Sequence, residues 1–68
     1  MLISGKIMIS AAQVVDKIGY SDLIHGVNLY YSNSKCGFVL RIYGSNHLCE
    51  YVLDKKSDKF VLYSKRPS

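Results

Sequence analysis

The feature that most constrains this chain is a two-residue alternation of side chains that begins at Val27 and continues almost to the last residue. It occupies four runs that are dense in Val, Ile, Leu, Tyr and Phe, at 27–32, 38–43, 48–53 and 60–65. Short segments rich in Gly, Asn, Ser, Asp and Lys separate these runs. Because alternation bounded by turn-forming residues is typical of strands joined in sequence order, the pattern predicts an antiparallel β-meander.

The segment before the meander has the signals of a helix. Ser10 followed by Gln13 has the form of a capping box, and Gly19 suits a left-handed helix end. We therefore predict a helix over 11–18. The Ile- and Met-rich segment 2–9 is predicted to add an edge strand, and Ser21-Asp22 to cap one short turn. The predicted fold class is α+β, with one N-terminal helix packed on a four- to five-stranded antiparallel β-meander.

The segment 44–47 is short enough to fix the strand register. A tight loop there places Arg41 opposite Glu50, Ile42 opposite Cys49, and Tyr43 opposite Leu48. One face of the sheet is then apolar and is expected to receive the helix; it carries Val27, Leu29, Tyr31, Phe38, Leu40, Ile42, Cys49, Tyr51, Leu53, Phe60 and Leu62. Since 68 residues leave room for one core, we expect 1–68 to form a single domain.

The other face of the sheet combines aromatic and basic side chains. Its predicted binding residues are Tyr30, Arg41, Tyr43, Tyr63 and Lys65. Tyr and Arg are enriched in protein interfaces, so a protein partner is the first expectation. The same arrangement also suits stacking of unpaired bases on a sheet, so nucleic acid is an alternative partner. The unpaired edges of so small a sheet also favour strand addition from another chain, either a peptide or a second copy in a homodimer.

The composition indicates the charge of the partner and the cellular location of the protein. A formal charge of +4, from nine Lys and Arg against five Asp and Glu, favours anionic partners. Much of this charge lies near the C-terminal end, where it serves either nucleic acid or solubility. Two cysteines predicted to stay unpaired indicate a reducing, cytoplasmic location. No apolar segment has the length of a membrane span, so we expect no membrane association.

Metal and catalytic chemistry have weak support in the sequence. His25, Cys36, His47 and Cys49 are the soft donors, and their spacing matches no zinc finger, so we predict no metal and no cofactor. A catalytic interpretation would take Cys36 or Ser45 as nucleophile and His25 or His47 as base. No spacing makes that assignment specific, and we predict no catalytic residue and no enzyme activity.

The segment 41–47, preceded by a capped helix that ends Gly19-Tyr20, faintly resembles HicA-type toxins. In that family of small RNA-cleaving proteins a Gly-Ser-His turn carries the catalytic histidine. The match covers about a third of the chain; Asn46 follows Gly44-Ser45, so His47 is displaced by one position. A strand intervenes between helix and motif, and no helix is predicted after Lys65. The chain is not assigned to the family on this basis.

These observations rank three functions. The first is a small non-catalytic binding or regulatory module that uses the exposed face or edge of its sheet to bind a protein, as an inhibitor or adaptor of the phage or mobile-element type. The second is binding of single-stranded RNA through the Tyr, Arg and Lys face. The third is a small RNA-cleaving, toxin-like enzyme.

Overall fold

The structure is a computed structural model that describes residues 4–68. One helix precedes four strands: α1 (Gly5–Gly19), β1 (Ile24–Ser32), β2 (Gly37–Gly44), β3 (His47–Asp54) and β4 (Lys59–Pro67). The strands form one antiparallel sheet in the order β1-β2-β3-β4, and α1 packs against one face of it. The predicted α+β class, with an N-terminal helix on a β-meander, is confirmed, and the described sheet has four strands.

The predicted apolar face is the face that receives α1. The buried core joins Ala11 of the helix to Leu40 and Ile42 of β2, Cys49 of β3 and Phe60 of β4. The predicted pairing of Arg41 with Glu50, and of both neighbouring pairs, is also confirmed. The alternation of apolar and polar side chains excludes a one-residue slip of the strands, because such a slip would move the whole apolar set away from the helix.

Helix α1 begins earlier than the sequence pattern indicated. Ser4 is the N-cap, and its Oγ accepts a hydrogen bond from the N–H of Ile7 at 3.3 Å. The predicted start at Ala11 was therefore wrong, as was the strand over 2–9 for residues 5–9; residues 1–3 lie outside the described residues. The helical stripe extends back through Ile7, which packs against the core one turn before Ala11.

Ser10 is not the helix cap that the sequence predicts. It lies inside α1 with 6% exposure, and its Oγ accepts a hydrogen bond from the N–H of Phe60 at 3.0 Å. The first element of the chain is thereby tied to the last strand. A serine that looked like a helix start is in fact a polar contact within the core.

The C-terminal end of α1 also differs from the prediction. Gly19 is the last helical residue and does not adopt a positive φ; the C-cap is Tyr20, at φ −73°. The N–H groups of Ser21 and Asp22 both bond to the carbonyl of Ile18, at 3.0 and 2.9 Å. These bonds satisfy the helix end without a left-handed residue. The single turn predicted after Ser21-Asp22 is absent from the described chain, and β1 begins at Ile24.

Two of the three hairpin loops place a non-glycine residue in the left-handed region. Cys36 ends the β1–β2 loop at φ 55°, and Asp58 ends the β3–β4 loop at φ 55°. Each makes a closing main-chain bond, from Cys36 N–H to the Asn33 carbonyl and from Asp58 N–H to the Asp54 carbonyl. The neighbouring Gly37 belongs to β2, so the left-handed position falls one residue earlier than the glycine suggests.

Two bulges interrupt the alternation. In β1 the register shifts between Ile24 and Gly26, which leaves His25 unpaired. In β4, Ser64 pairs with Glu50 but Leu62 pairs with Tyr51, so Tyr63 is the additional residue. A bulge changes the direction of the side chains around it. Both additional residues, His25 and Tyr63, are candidates for function in the sequence analysis. Within residues 4–68, no helix is long and apolar enough to cross a membrane.

Candidate functional site: the open face of the sheet

We use the term open face for the side of the sheet turned away from α1. Its members follow from the strand register and include Asn28, Tyr30, Val39, Arg41, Tyr43, Glu50, Val61, Tyr63, Ser64 and Arg66. Val39 is fully buried, although α1 packs on the opposite side. The side chains of the open face therefore form a packed layer of their own above the sheet.

Arg41 lies at the centre of this layer. Its Nη2 atom is 3.4 Å from the Tyr30 hydroxyl, and its Nη1 atom is 3.5 Å from the Tyr43 hydroxyl. The guanidinium carbon lies 5.7 Å from the centroid of the Tyr30 ring, within the range of a cation–π contact. The hydrogen bond with Tyr43 raises the pKa of Arg41 above its ordinary value, so this group stays charged.

Glu50 adds a buried carboxylate to the cluster. Its side chain is 10% exposed, with Oε2 3.5 Å from Nη2 of Arg41 and Oε1 3.8 Å from Nη2 of Arg66. One carboxylate therefore faces two guanidinium groups. The centre of the open face retains an excess of positive charge.

The bulge at Tyr63 changes the face on which one of the predicted binding residues lies. Lys65 pairs with Cys49, whose side chain belongs to the core, so Lys65 lies on the helix side of the sheet. Arg66 pairs with Leu48 and takes the position on the open face. The prediction for Lys65 assumed uninterrupted alternation through β4. Because no glycine marks this bulge, no local pattern pointed to Arg66.

Aromatic and apolar side chains surround the Arg41 cluster. Tyr43 is 40% exposed, Val61 51% and Tyr63 63%. The Nζ atom of Lys35, from the β1–β2 loop, lies 5.2 Å from the centroid of the Tyr63 ring. Four of the five predicted binding residues, Tyr30, Arg41, Tyr43 and Tyr63, thus share the open face, and Lys35 joins them through a loop contact that strand alternation could not reveal.

The candidate nucleophiles and bases lie at the β1 bulge, in the loops and at the start of β3. His25 Nε2 lies 2.6 Å from Ser45 Oγ, so the structure brings that pair together on an exposed surface. Cys36 is exposed, and Cys49 is buried in the core, as predicted. Among residues 4–68, no group of three His, Cys, Asp or Glu side chains is placed to hold a metal ion.

Asp22 organises the β2–β3 turn, not the short local turn that the sequence predicted for Ser21-Asp22. Its carboxylate accepts hydrogen bonds from the N–H groups of Asn46, at 3.1 Å, and His47, at 3.2 Å, and from the Asn46 side-chain amide. Partial burial opposes ionisation, but the amide bonds of Asn46, His47 and Leu23 outweigh it and lower the pKa of Asp22. The contact spans 24 residues, beyond the range of any local motif.

The open face is therefore a charged, tyrosine-rich surface on a small α+β scaffold. Comparison of the chain with known protein families, curated proteins and solved structures found no match.

Proposed function

We propose that this protein is a small non-catalytic binding module of the inhibitor or adaptor type, which acts in the cytoplasm and binds an acidic protein surface through the open face. The observation that carries the proposal is the Arg41 cluster. A guanidinium held by Tyr30, Tyr43 and Glu50 lies at the centre of a face that α1 leaves uncovered. Arg and Tyr at the centre of a patch are the residue types that dominate binding energy in protein interfaces.

The cluster is already ordered before a partner binds. Arg41 is fixed by two tyrosine hydroxyls and by Glu50, and Val39 is packed beneath this layer. Ordering a flexible side chain on binding costs about 0.5–1.5 kcal/mol. Because Arg41 is already ordered when the chain folds, little of that cost remains to be met on binding. The open face therefore suits recognition of a rigid protein surface.

The charge of the cluster favours an acidic partner. Arg41 and Arg66 share the single carboxylate of Glu50, and Lys35 lies at the rim. The bonds of Arg41 measure 3.4–3.5 Å. Charge-assisted bonds are usually about 2.7–2.9 Å long. The guanidinium of Arg41 therefore keeps capacity for a shorter bond to a carboxylate of the partner.

Two contacts favour protein over nucleic acid. A base that stacks on the open face needs an uncovered tyrosine ring. Arg41 covers one side of the Tyr30 ring, and Lys35 lies over the Tyr63 ring. A protein partner can use the exposed edges and hydroxyls of these tyrosines without displacing either cation.

Single-stranded RNA is the second candidate, on the strength of one observation. Lys35, Arg41 and Arg66 place three cations around the exposed Tyr43 and Tyr63, against one carboxylate. That surplus could neutralise phosphates while Tyr43 stacks a base. We propose no catalytic role for the pair of His25 and Ser45, because both side chains lie on an exposed surface that does not exclude water.

The test replaces a single tyrosine by a photo-reactive amino acid and identifies what becomes cross-linked in cells. Tyr43 is the probe, and Tyr20, which is 93% exposed at the end of α1, is the matched control. We expect an acidic protein to cross-link at Tyr43 and not at Tyr20. Cross-linking of that protein from both positions, or from Tyr20 alone, would contradict binding through the open face.

The second stage measures affinity for the purified partner. Arg41→Gln and Tyr43→Ala are each expected to weaken binding about tenfold or more, as central Arg and Tyr residues do; Tyr20→Ala is expected to leave the affinity unchanged. In a parallel measurement with single-stranded oligonucleotides, affinity that falls steeply with added salt and is lost in Tyr43→Ala would establish the RNA function instead.

A further inference from the structure

The two edge strands of the sheet differ sharply in how they are protected. Edge β4 carries Lys59, Lys65 and Arg66, a bulge at Tyr63, and Pro67. Charges, bulges and proline are the devices by which proteins prevent another strand from pairing with an edge. Edge β4 is therefore blocked in several ways.

Edge β1 has almost none of these devices. Its sequence from Ile24 to Ser32 contains no Lys, Arg, Asp, Glu or Pro, and after the bulge at His25 its pairing with β2 is regular from Gly26 to Ser32. Within residues 4–68 no strand pairs with the outer side of this seven-residue stretch, so its outward main-chain groups can bind a further strand. The whole chain has a net charge of +4, which makes two copies repel each other. Strand β1 contains no Lys, Arg, Asp or Glu, so its own side chains add nothing to that repulsion.

The core is also incomplete beside β1. A largely apolar groove runs between α1 and β1, lined by Met8, Ala11, Ala12, Val15, Val27 and Leu29, with the charged Asp16 also in its lining. Met8 is 50% exposed, Val27 46% and Tyr31 50%. Since these side chains lie on the helix side of the sheet, a strand added to β1 would extend the sheet beneath them.

We propose that two copies of this chain pair through their β1 edges, antiparallel and about a two-fold axis beside Leu29. Complete overlap of the stretch 26–32 with its own copy places its middle residue, Leu29, opposite the partner's Leu29. Val27 then lies opposite the partner's Tyr31, and Tyr31 opposite the partner's Val27. Pairs of an aromatic and a β-branched side chain are among the favourable cross-strand neighbours.

The dimer has a consequence for the open face that does not depend on what that face binds. The two sheets become one sheet of eight strands, with Asn28 and Tyr30 of each copy at the junction. Each Tyr30 is already bonded to Arg41, so two Arg41 clusters face the same side. If the open face binds acidic protein surfaces, as proposed above, a partner with two acidic sites engages both clusters, and the linkage of the two binding events raises the overall affinity without a new contact.

Sedimentation equilibrium of the wild-type chain over a wide concentration range tests the proposal first. The expected result is a reversible monomer–dimer equilibrium, and a chain that stays monomeric into the millimolar range would overturn it. Hydrogen exchange provides a second measurement that needs no variant. Amides in 26–32 should become more protected as concentration rises, while those of β4 should not; protection confined to β4 would also overturn the proposal.

A pair of matched variants locates the interface. Val27→Lys adds a charge to β1, and Val61→Lys adds the same charge to β4 at similar exposure, 46% against 51%. Because each dimer contains two copies of the changed position, Val27→Lys should weaken dimerisation about tenfold, and Val61→Lys should not. Circular dichroism confirms that both variants are folded. Equal effects of the two variants, or no effect of Val27→Lys, would show that β1 is not the interface.

The register has its own test. Val27 and Tyr31 are four residues apart on one strand and do not face each other within a monomer, but each faces the other residue across the proposed dimer. The double variant Val27→Lys with Tyr31→Glu should therefore dimerise more tightly than either single variant. Additive weakening by the two substitutions would contradict the axis beside Leu29.

Discussion

The main-chain nitrogen of His47 lies 3.2 Å from Oδ2 of Asp22, a residue 25 positions earlier in the chain. With the matching bond from Asn46, this contact holds the β2–β3 turn against the segment that leaves α1. The turn has no residue at positive φ to shape it, so the carboxylate supplies the restraint that a glycine turn would supply locally.

Asp22→Asn should lower the melting temperature by several degrees at neutral pH, because a neutral amide accepts the two N–H bonds less strongly. The folded pKa of Asp22 lies below its ordinary value of 3.8. Its stabilising effect is therefore complete above the unfolded pKa and is lost as pH falls through the folded pKa. The difference in melting temperature between wild type and variant should shrink over that acidic range. Asp16→Asn, at an exposed site on α1, serves as the control; an equal effect there would argue against a specific role for Asp22.

Gly44→Ala should destabilise the fold by about 1–3 kcal/mol, the usual cost of overpacking. A Cβ at this position would meet the carboxylate of Asp22 and lie 3.0 Å from the His47 carbonyl oxygen. Gly26→Ala is the matched substitution, since its Cβ would make an ordinary contact of 3.6 Å with the Tyr43 ring. Chemical denaturation compares the two, and a loss at Gly26 as large as that at Gly44 would contradict the packing argument.

Ser10→Ala should reduce the free energy of unfolding by about 1–3 kcal/mol, because the buried N–H of Phe60 loses its acceptor. The higher helix propensity of alanine offsets roughly 0.5 kcal/mol of this. The reverse substitution on the exposed side of α1, Ala12→Ser, should cost only that propensity difference. A neutral effect of Ser10→Ala in urea denaturation would show that the contact between α1 and β4 contributes nothing.

Cys36→Gly should stabilise the protein by about 0.5–1 kcal/mol, because a side chain at positive φ carries a cost that glycine avoids. Cys36→Ala removes the thiol but keeps the Cβ, so it should give no such gain. Thermal unfolding under reducing conditions measures both variants. Equal stabilisation by alanine would assign the effect to the thiol rather than to the backbone of the loop.

The sequence was most informative where one interaction repeats over many residues. The alternation from Val27 onward predicted the meander and the face that receives α1, because a one-residue slip would expose Leu40 and Ile42. Tyr30, Arg41 and Tyr43 were placed correctly on one face for the same reason. The short loop at 44–47 predicted the pairing of Arg41 with Glu50.

The features that were missed depend on single contacts between distant residues. The Tyr63 bulge exchanges Lys65 for Arg66, and the sequence around it contains no glycine to mark it. The local pattern of Ser10 and Gln13 predicts a cap. The actual bond of Ser10, to Phe60, spans 50 residues and has no local signal. Asp22 was assigned a local turn because its partners, Asn46 and His47, are close only in the folded chain.

The bond between Ser10 and the N–H of Phe60 also bears on when the chain can fold during its synthesis. Helix α1 is synthesised before every strand of the sheet, and β4, the strand that completes its packing, is the last of the four strands to be made. Until β4 is available, α1 and the first hairpins expose apolar surface that nothing covers. Folding of this domain is therefore expected to wait until β4 has emerged from the ribosome, and a nascent chain arrested before Phe60 should remain sensitive to protease.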